Sequence, residues 1–207
     1  MQQHWERFYT DTAVEETGFW EPTPESSLRL VDRCDLAPDD AVVDAGGGAS
    51  AFVTSLLDRG FRNLTVADIS PTALARARER LGDRASSVQL IEADLADPSA
   101  LPGLRDVALW HDRAVLHFLL TEPQRAAYSG TVNRVVRPRG YVILSAFSLT
   151  GAPECSGLPI RNYDAKMFGE VLGSDFQLID SFDHVYINRG GSPRPHVYAL
   201  FQRVAEG

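Results

Sequence analysis

The sequence predicts an α/β fold in which a seven-stranded, mostly parallel sheet carries helices on both faces and ends in an antiparallel hairpin. Three observations predict it. Short β-rich runs alternate with stretches of helical periodicity from residue 41 to residue 147; the first run leads into three consecutive glycines, Gly46, Gly47 and Gly48; and the last two β-rich runs are joined by a segment too short for a crossover helix.

Five runs supply the parallel strands: 41–45, 64–68, 88–92, 107–110 and 141–145. Between the first two, Phe52, Val53, Leu56 and Leu57 form the stripe of an amphipathic helix, with Gly60 as its stop. Ser70 is a good N-cap, Pro71 suits a first helical position, and Leu74, Ala77 and Leu81 share one face before Gly82. Thr121 caps a helix expected to reach Val136 and break at Arg137-Pro138-Arg139-Gly140. A short helix around 165–172 precedes one long, interrupted strand (176–180 and 185–187), and 196–201 returns antiparallel to it. Ahead of the sheet, Trp5, Phe8 and Tyr9 lie on one helical face, and Pro24 to Cys34 suggests a second helix. We expect a single domain over residues 1–207, divided into a helical lid (1–40), a ligand-binding core (41–147), and a substrate-side loop with the terminal hairpin (148–207).

Length and composition fit this. At 207 residues, with 44% hydrophobic and 23% charged residues, the chain has enough apolar material for one ordinary core. Twenty basic against 28 acidic residues give a net charge of −8, which disfavours nucleic acid as a partner. Only Lys166 among the basic residues is a lysine. No apolar run approaches the roughly 20 residues of a membrane span, and the N-terminus lacks a signal-like pattern, so the expectation is a cytoplasmic protein without membrane contact. Cys34 and Cys155 stand far apart, outside any Cys/His cluster, so neither a metal site nor a disulfide is expected.

The informative segment is Asp44-Ala45-Gly46-Gly47-Gly48-Ala49-Ser50, where a strand ends and a helix starts. Glycines there allow a tight turn and a close backbone approach to a ligand. Asp68 ends the second strand, 22 residues after Gly46, where a carboxylate meets both hydroxyls of a ribose; a helix-start charge beside Ser70 is the plainer role. Asp94 ends the third strand on the same rim and suits an exocyclic amine. Together these residues point to an adenosine-containing ligand.

At this point the sequence resembles the class I S-adenosylmethionine-dependent methyltransferases. Asp44-x-Gly46-x-Gly48-x-Ser50 is similar to their first motif, Val66-Ala67-Asp68-Ile69-Ser70 to the ribose-binding second, and Glu92-Ala93-Asp94-Leu95 to the adenine-contacting third. The resemblance is strong over residues 40–147 and implies a Rossmann-like sheet with S-adenosyl-L-methionine as cofactor. It implies further that Gly46 and Gly48 line the methionine portion, Asp68 takes the ribose and Ile69 flanks the adenine. Asp94 and Leu95 would contact the adenine, Asp44 would hold the loop or the methionine amine, and Trp20 would close over the cofactor or simply anchor packing. Glu15-Glu16-Thr17-Gly18-Phe19-Trp20, Trp110-His111-Asp112-Arg113 and Cys155-Ser156-Gly157-Leu158-Pro159 also resemble a small bacterial subgroup.

Methyl transfer from a sulfonium needs alignment and exclusion of water more than a base. If the acceptor must lose a proton, His111 at the end of the fourth strand is the first candidate, as base or as a rim contact to the cofactor. Asp112 and Arg113 would orient it or bind a substrate carboxylate. Tyr9 is a second candidate if the N-terminal helix faces the cleft. His117 reads as a core histidine and Cys155 as a small buried residue. A small-molecule acceptor is preferred to a protein side chain, although Trp5, Tyr9 and Trp20 also resemble protein-lysine methyltransferases. An NAD(P)-dependent oxidoreductase is the remote alternative, disfavoured because no Tyr-x-x-x-Lys pair is present.

Overall fold

The computed structural model describes residues 1–188 and 190–205, apart from the side chain of Ala49. The first five strands are β1 (Ala41–Ala45), β2 (Leu64–Asp68), β3 (Val88–Glu92), β4 (Val107–Arg113) and β5 (Val136–Phe147). They pair in parallel in the order β3-β2-β1-β4-β5. Two long strands complete the sheet, β8 (Phe176–Ile187) and β9 (Pro193–Arg203), with β9 antiparallel between β5 and β8. Between β5 and β8 in sequence lies a two-residue-per-strand hairpin of β6 (Glu154–Cys155) and β7 (Leu158–Pro159), which the sequence reading did not anticipate.

Among the described residues six α-helices accompany the strands: α1 (Gln2–Asp11), α2 (Glu25–Val31), α3 (Phe52–Asp58), α4 (Pro71–Leu81), α5 (Glu122–Val135) and α6 (Ala165–Leu172). Their starts are chemical. Ser70 Oγ accepts from Ala73 N at 3.0 Å to cap α4, Thr121 and Gln124 form a capping box on α5, and Asp164 accepts from Met167 N at 2.8 Å on α6. Strands β1, β2 and β4 and the central stretches of β5 and β9 are buried on both faces, so neighbouring residues there serve opposite cores. Val43, Trp110, Leu144 and Phe201 pack with α5 and α6, whereas Val42, Leu109, Ile143 and Leu200 pack with α2, α3 and α4.

Several boundaries differ from expectation, among them β9 at both ends and β3, which stops at Glu92 short of Asp94, and three others show the reason. Strand β4 runs on to Arg113, because Asp44, Ala45, Ile143, Leu144 and Ser145 continue the ladder on both sides. The expected break at 137–140 falls inside β5, where the register shifts between Val107 and Leu109, so a proline and a positive-φ Arg139 form an irregularity within the strand. The interrupted C-terminal strand is continuous: Ile179 bulges between Leu178 and Asp180, and pairing continues to Ile187.

A third apolar cluster lies outside the two main cores. Trp5 and Tyr9 of α1, with Val14, bury against Ala73 and Phe118, so the N-terminal helix roofs the carboxyl ends of the strands. Glu6 fastens it there, accepting from Thr72 Oγ1 at 2.7 Å and from Ser70 Oγ at 2.5 Å. Among the described residues no helix is long and apolar enough to cross a membrane.

Candidate active site

Strand order reverses between β1 and β4, and the loops leaving them diverge to open a crevice. A cavity of about 360 Å³ fills it, within the size range of small-ligand sites. Following the sheet, its lining begins at Asp94 and Leu95 after β3, passes Asp68 and Ile69 after β2 and Asp44, Gly46 and Ser50 at β1, and reaches His111 and Arg113 on β4. Phe147 of β5 and Arg194 and His196 of β9 close the opposite end. Trp5, Phe8, Tyr9 and Trp20 roof it, with Cys155 and Ser156 of the hairpin beside them.

The glycine turn is shaped by its neighbours. Gly46 has φ +70, and a Cβ there would collide with Val115 Cγ2. Gly48 behaves differently from what the resemblance implies. It does not line the cavity: a Cβ on it would lie 2.6 Å from Ala73 Cβ, and its N–H donates to Asp68 Oδ2 at 3.0 Å, so it seats the turn against α4. Ser50 lines the cavity and its Oγ accepts from Phe52 N at 2.9 Å, which starts α3.

Asp68 does both things considered for it. Oδ1 accepts from Ser70 N at 2.9 Å, a helix-start contact, while the carboxylate also borders the cavity with lone pairs to spare. Burial pushes it up to about 6, against the pull of the backbone donors. Asp94 is exposed at the rim and accepts from Ala96 N at 2.9 Å; Leu95 beside it is buried. Trp20 lies under the Arg80 guanidinium, 5.0 Å from the ring centre, and its carbonyl accepts from Tyr186 Oη at 2.5 Å.

The two residues considered as bases have other surroundings. His111 is buried, with Nδ1 2.7 Å from Asp44 Oδ1, Nε2 2.8 Å from Ser27 Oγ, and its ring stacked on Phe52 at 3.8 Å. Both nitrogens are occupied. Tyr9 is a buried part of the roof, and desolvation together with the charge of Asp68 raises its phenol well above the usual value, so at neutral pH it holds its proton. Asp112 turns away from the cavity, accepting from Val115 N, Leu116 N and Tyr128 Oη, and thereby shapes the loop after β4. Arg113 faces the cavity but is engaged by the protein itself: Nη1 donates to the Phe19 carbonyl at 2.9 Å and Nη2 lies 3.2 Å from Glu21 Oε1. His117 is a core residue as expected, buried between Phe118 and Phe147, and burial lowers it to about 3. Cys155 lines the cavity as a thiol whose pKa burial raises.

Arg194 and His196 were not singled out by the sequence. They are two residues apart on β9 and so share a face, and alternation in that strand was the available signal. His196 Nδ1 lies 3.0 Å from the Arg194 carbonyl oxygen, which accepts, so Nδ1 bears the hydrogen and Nε2 the lone pair. Burial lowers His196 to about 4 and keeps it neutral.

One antiparallel strand set into an otherwise parallel sheet, with carboxylates along the strand ends, defines a nucleoside-cofactor enzyme of the methyltransferase type. Residues 42–140 match a family model described as a methyltransferase domain. The mouse EEF1A lysine methyltransferase 2 is 24% identical over 165 residues, covering 73% of this chain and 67% of that protein. Among solved structures, one from work on conversion of a disulfide bond into a thioacetal group during echinomycin biosynthesis aligns with TM-score 0.78 and 18% identity, covering 100% of this chain and 94% of the other. The N-methyltransferase NodS from Bradyrhizobium japonicum, in complex with S-adenosyl-L-homocysteine, aligns with TM-score 0.70 and 17% identity over 97% of each chain. Residues 42–140 thus carry a methyltransferase domain, and the whole chain has the fold of S-adenosylmethionine-dependent methyltransferases, which fits S-adenosyl-L-methionine as its cofactor.

Proposed function

We propose that this enzyme methylates a small-molecule acceptor held at the β9 end of the cavity. The observation that carries the reading is the closed roof. His4 Nε2 lies 3.0 Å from the Ser156 carbonyl oxygen and joins α1 to the β6–β7 hairpin above the cavity, while Trp5, Phe8 and Phe118 pack edge to face beneath. Such enclosure suits a compact acceptor and the exclusion of water.

The residues fit the cofactor. Asp44 Oδ2 is buried without a hydrogen-bond partner, an acceptor kept for a donor such as an ammonium group. Asp68 receives the ribose hydroxyls, Ile69 and Leu95 border the adenine, Asp94 takes its amine, and Trp20 covers the site. When bound, the cofactor supplies a methyl group on a sulfonium, already activated for in-line displacement. The chain then has to align the acceptor and, where needed, remove its proton. His196 Nε2, with its tautomer set by the Arg194 carbonyl, is the group we assign to the proton; His111 acts on Asp44 as a positioning residue.

A protein-lysine acceptor is the second reading, favoured by the likeness to the mouse lysine methyltransferase. Both are tested by incubating the protein with methyl-labelled S-adenosyl-L-methionine and a cell extract separated into dialysable and protein fractions. Label in the dialysable fraction is expected; label confined to protein would overturn the small-molecule reading.

A further inference from the structure

Charge is divided along the cavity. Asp44, Asp68 and Asp94 stand on the β1, β2 and β3 side and guanidiniums on β4 and β9, with Glu16 and Glu21 also in the lining. Of the two, Arg113 is neutralised by Glu21 and held by the Phe19 carbonyl. Arg194 is not. Among the described residues its guanidinium makes no ion pair and no hydrogen bond, its Nε is buried without a partner, and its nearest aromatic contact is Phe147, 5.7 Å to the ring centre.

Among the described residues no carboxylate pairs with it, and the lining carboxylate at that end, Glu21, is taken by Arg113. His117 and His196 are neutral and both stack with the Phe147 ring, at 5.8 and 4.6 Å, and Cys155 remains a thiol. A half-buried cation facing an aromatic-walled cavity is a costly arrangement in the empty protein. It becomes favourable when an oxyanion enters, because a guanidinium fork matches a carboxylate in two parallel hydrogen bonds.

Resting on the small-molecule reading above, we infer that the acceptor carries a carboxylate beside a flat apolar body, and that Arg194 is the residue that anchors it. The aromatic walls formed by Phe118, Phe147 and the His196 ring receive the body, and the carboxylate at Arg194 places the rest of the molecule along β9, within reach of His196. A lysine ammonium would meet an uncompensated positive charge at the same place, so the charge division also separates the two acceptor classes.

The test uses the full chain loaded with S-adenosyl-L-homocysteine and two matched pairs of probes, anthranilate with anthranilamide and salicylate with salicylamide, with binding followed by calorimetry. The acids are expected to bind about tenfold or more tightly than their amides. Arg194→Gln, which keeps the backbone carbonyl that orients His196, is expected to bring the acids down to the amide level and leave affinity for S-adenosyl-L-homocysteine unchanged; Arg194→Lys should recover part of the difference. Equal binding of acids and amides, no binding of either acid, or undiminished acid affinity in Arg194→Gln would each overturn the assignment. The labelled-extract experiment separates this failure from that of the underlying reading: methyl label in dialysable compounds alongside indifferent acid binding removes only the carboxylate site, whereas label confined to protein removes both.

Discussion

Asp44 is held by His111 through a 2.7 Å contact between Oδ1 and Nδ1, and the second ring nitrogen of His111 is held in turn by Ser27 at 2.8 Å. The chain of three fixes the carboxylate with one oxygen satisfied and the other, Oδ2, buried and free. Gly47 is part of the same device, since a Cβ at that position would collide with Oδ2. The histidine at the end of β4 therefore supports the cofactor end of the site through Asp44, in place of the proton-accepting role first considered for it.

Shortening this chain should weaken cofactor binding without touching the acceptor end. Ser27→Ala removes one buried hydrogen bond, worth about 1 kcal/mol, and His111→Leu leaves Asp44 wholly unpaired at a cost of about 1–3 kcal/mol. Calorimetry with S-adenosyl-L-homocysteine should give a several-fold loss for the first variant and a larger one for the second, with melting temperature falling in the same order. Affinity equal to the parent's in both would remove the positioning role.

Cofactor affinity should depend on pH through Asp68. Its pKa of about 6 in the folded, empty protein means that the ionised acceptor is present above about pH 6 and lost as pH falls through that value. Affinity should decline with it. Asp68→Asn should bind roughly tenfold to a hundredfold more weakly near neutral pH, since hydrogen bonds to a charged acceptor are worth about 1.5–3 kcal/mol, and should show a flat profile across the same range. A parental profile that is already flat would contradict the assignment.

The roof should have to move for the site to fill. Glu6 holds α1 to Ser70 and Thr72, and Trp20 borders the cavity, so cofactor binding should alter Trp20 fluorescence, seen by comparison with Trp20→Phe. Removing residues 1–20 exposes Ala73 and Phe118 but leaves both main cores intact, so the truncated chain should keep its secondary structure by circular dichroism and lose turnover. Turnover at the parental rate after truncation would reduce the segment to packing.

Acid should destabilise the fold through His117. Its folded pKa of about 3 lies below an unfolded value near 6.5, so the unfolded chain binds the extra proton between these limits. The stabilising contribution is present above about pH 6.5 and is lost as pH falls toward about 3. Urea titrations should show a shallower acid limb for His117→Leu than for the parent; parallel limbs would show that His117 takes up its proton as readily in the fold as in the unfolded chain.

How far the sequence could be read depended on the range of the physics involved. Ser70 and Pro71 announce α4, Thr121 and Gln124 announce α5, and alternation of β-rich and helical segments announces the parallel sheet, because caps and periodicity act between neighbours in the chain. Asp44, Asp68 and Asp94 were legible as a rim because each stands at or just past the carboxyl end of a strand, Asp94 two residues beyond Glu92, where β3 stops. Local cues failed where a distant partner decided the outcome. The prolyl break at 137–140 is absorbed into β5 because β4 offers a ladder across it, and β8 bridges its gap because β9 continues on the other side.

By itself the sequence determined the strand and helix order, the glycine turn, the acidic rim and, through them, the class of cofactor. Tertiary structure decided which of the candidate groups remain available for chemistry. His111 and Arg113 look equally free in sequence, yet Ser27 and Asp44 occupy the first and Glu21 the second, from positions far away in the chain. Arg194 and His196 look like ordinary strand residues, yet β9 inserts beside β5 and brings them to the cavity wall. The physical reason is that a side chain's chemistry depends on what remains unpaired around it after folding, and hydrogen-bond and ion partners are chosen by the packing of elements, which no local pattern encodes.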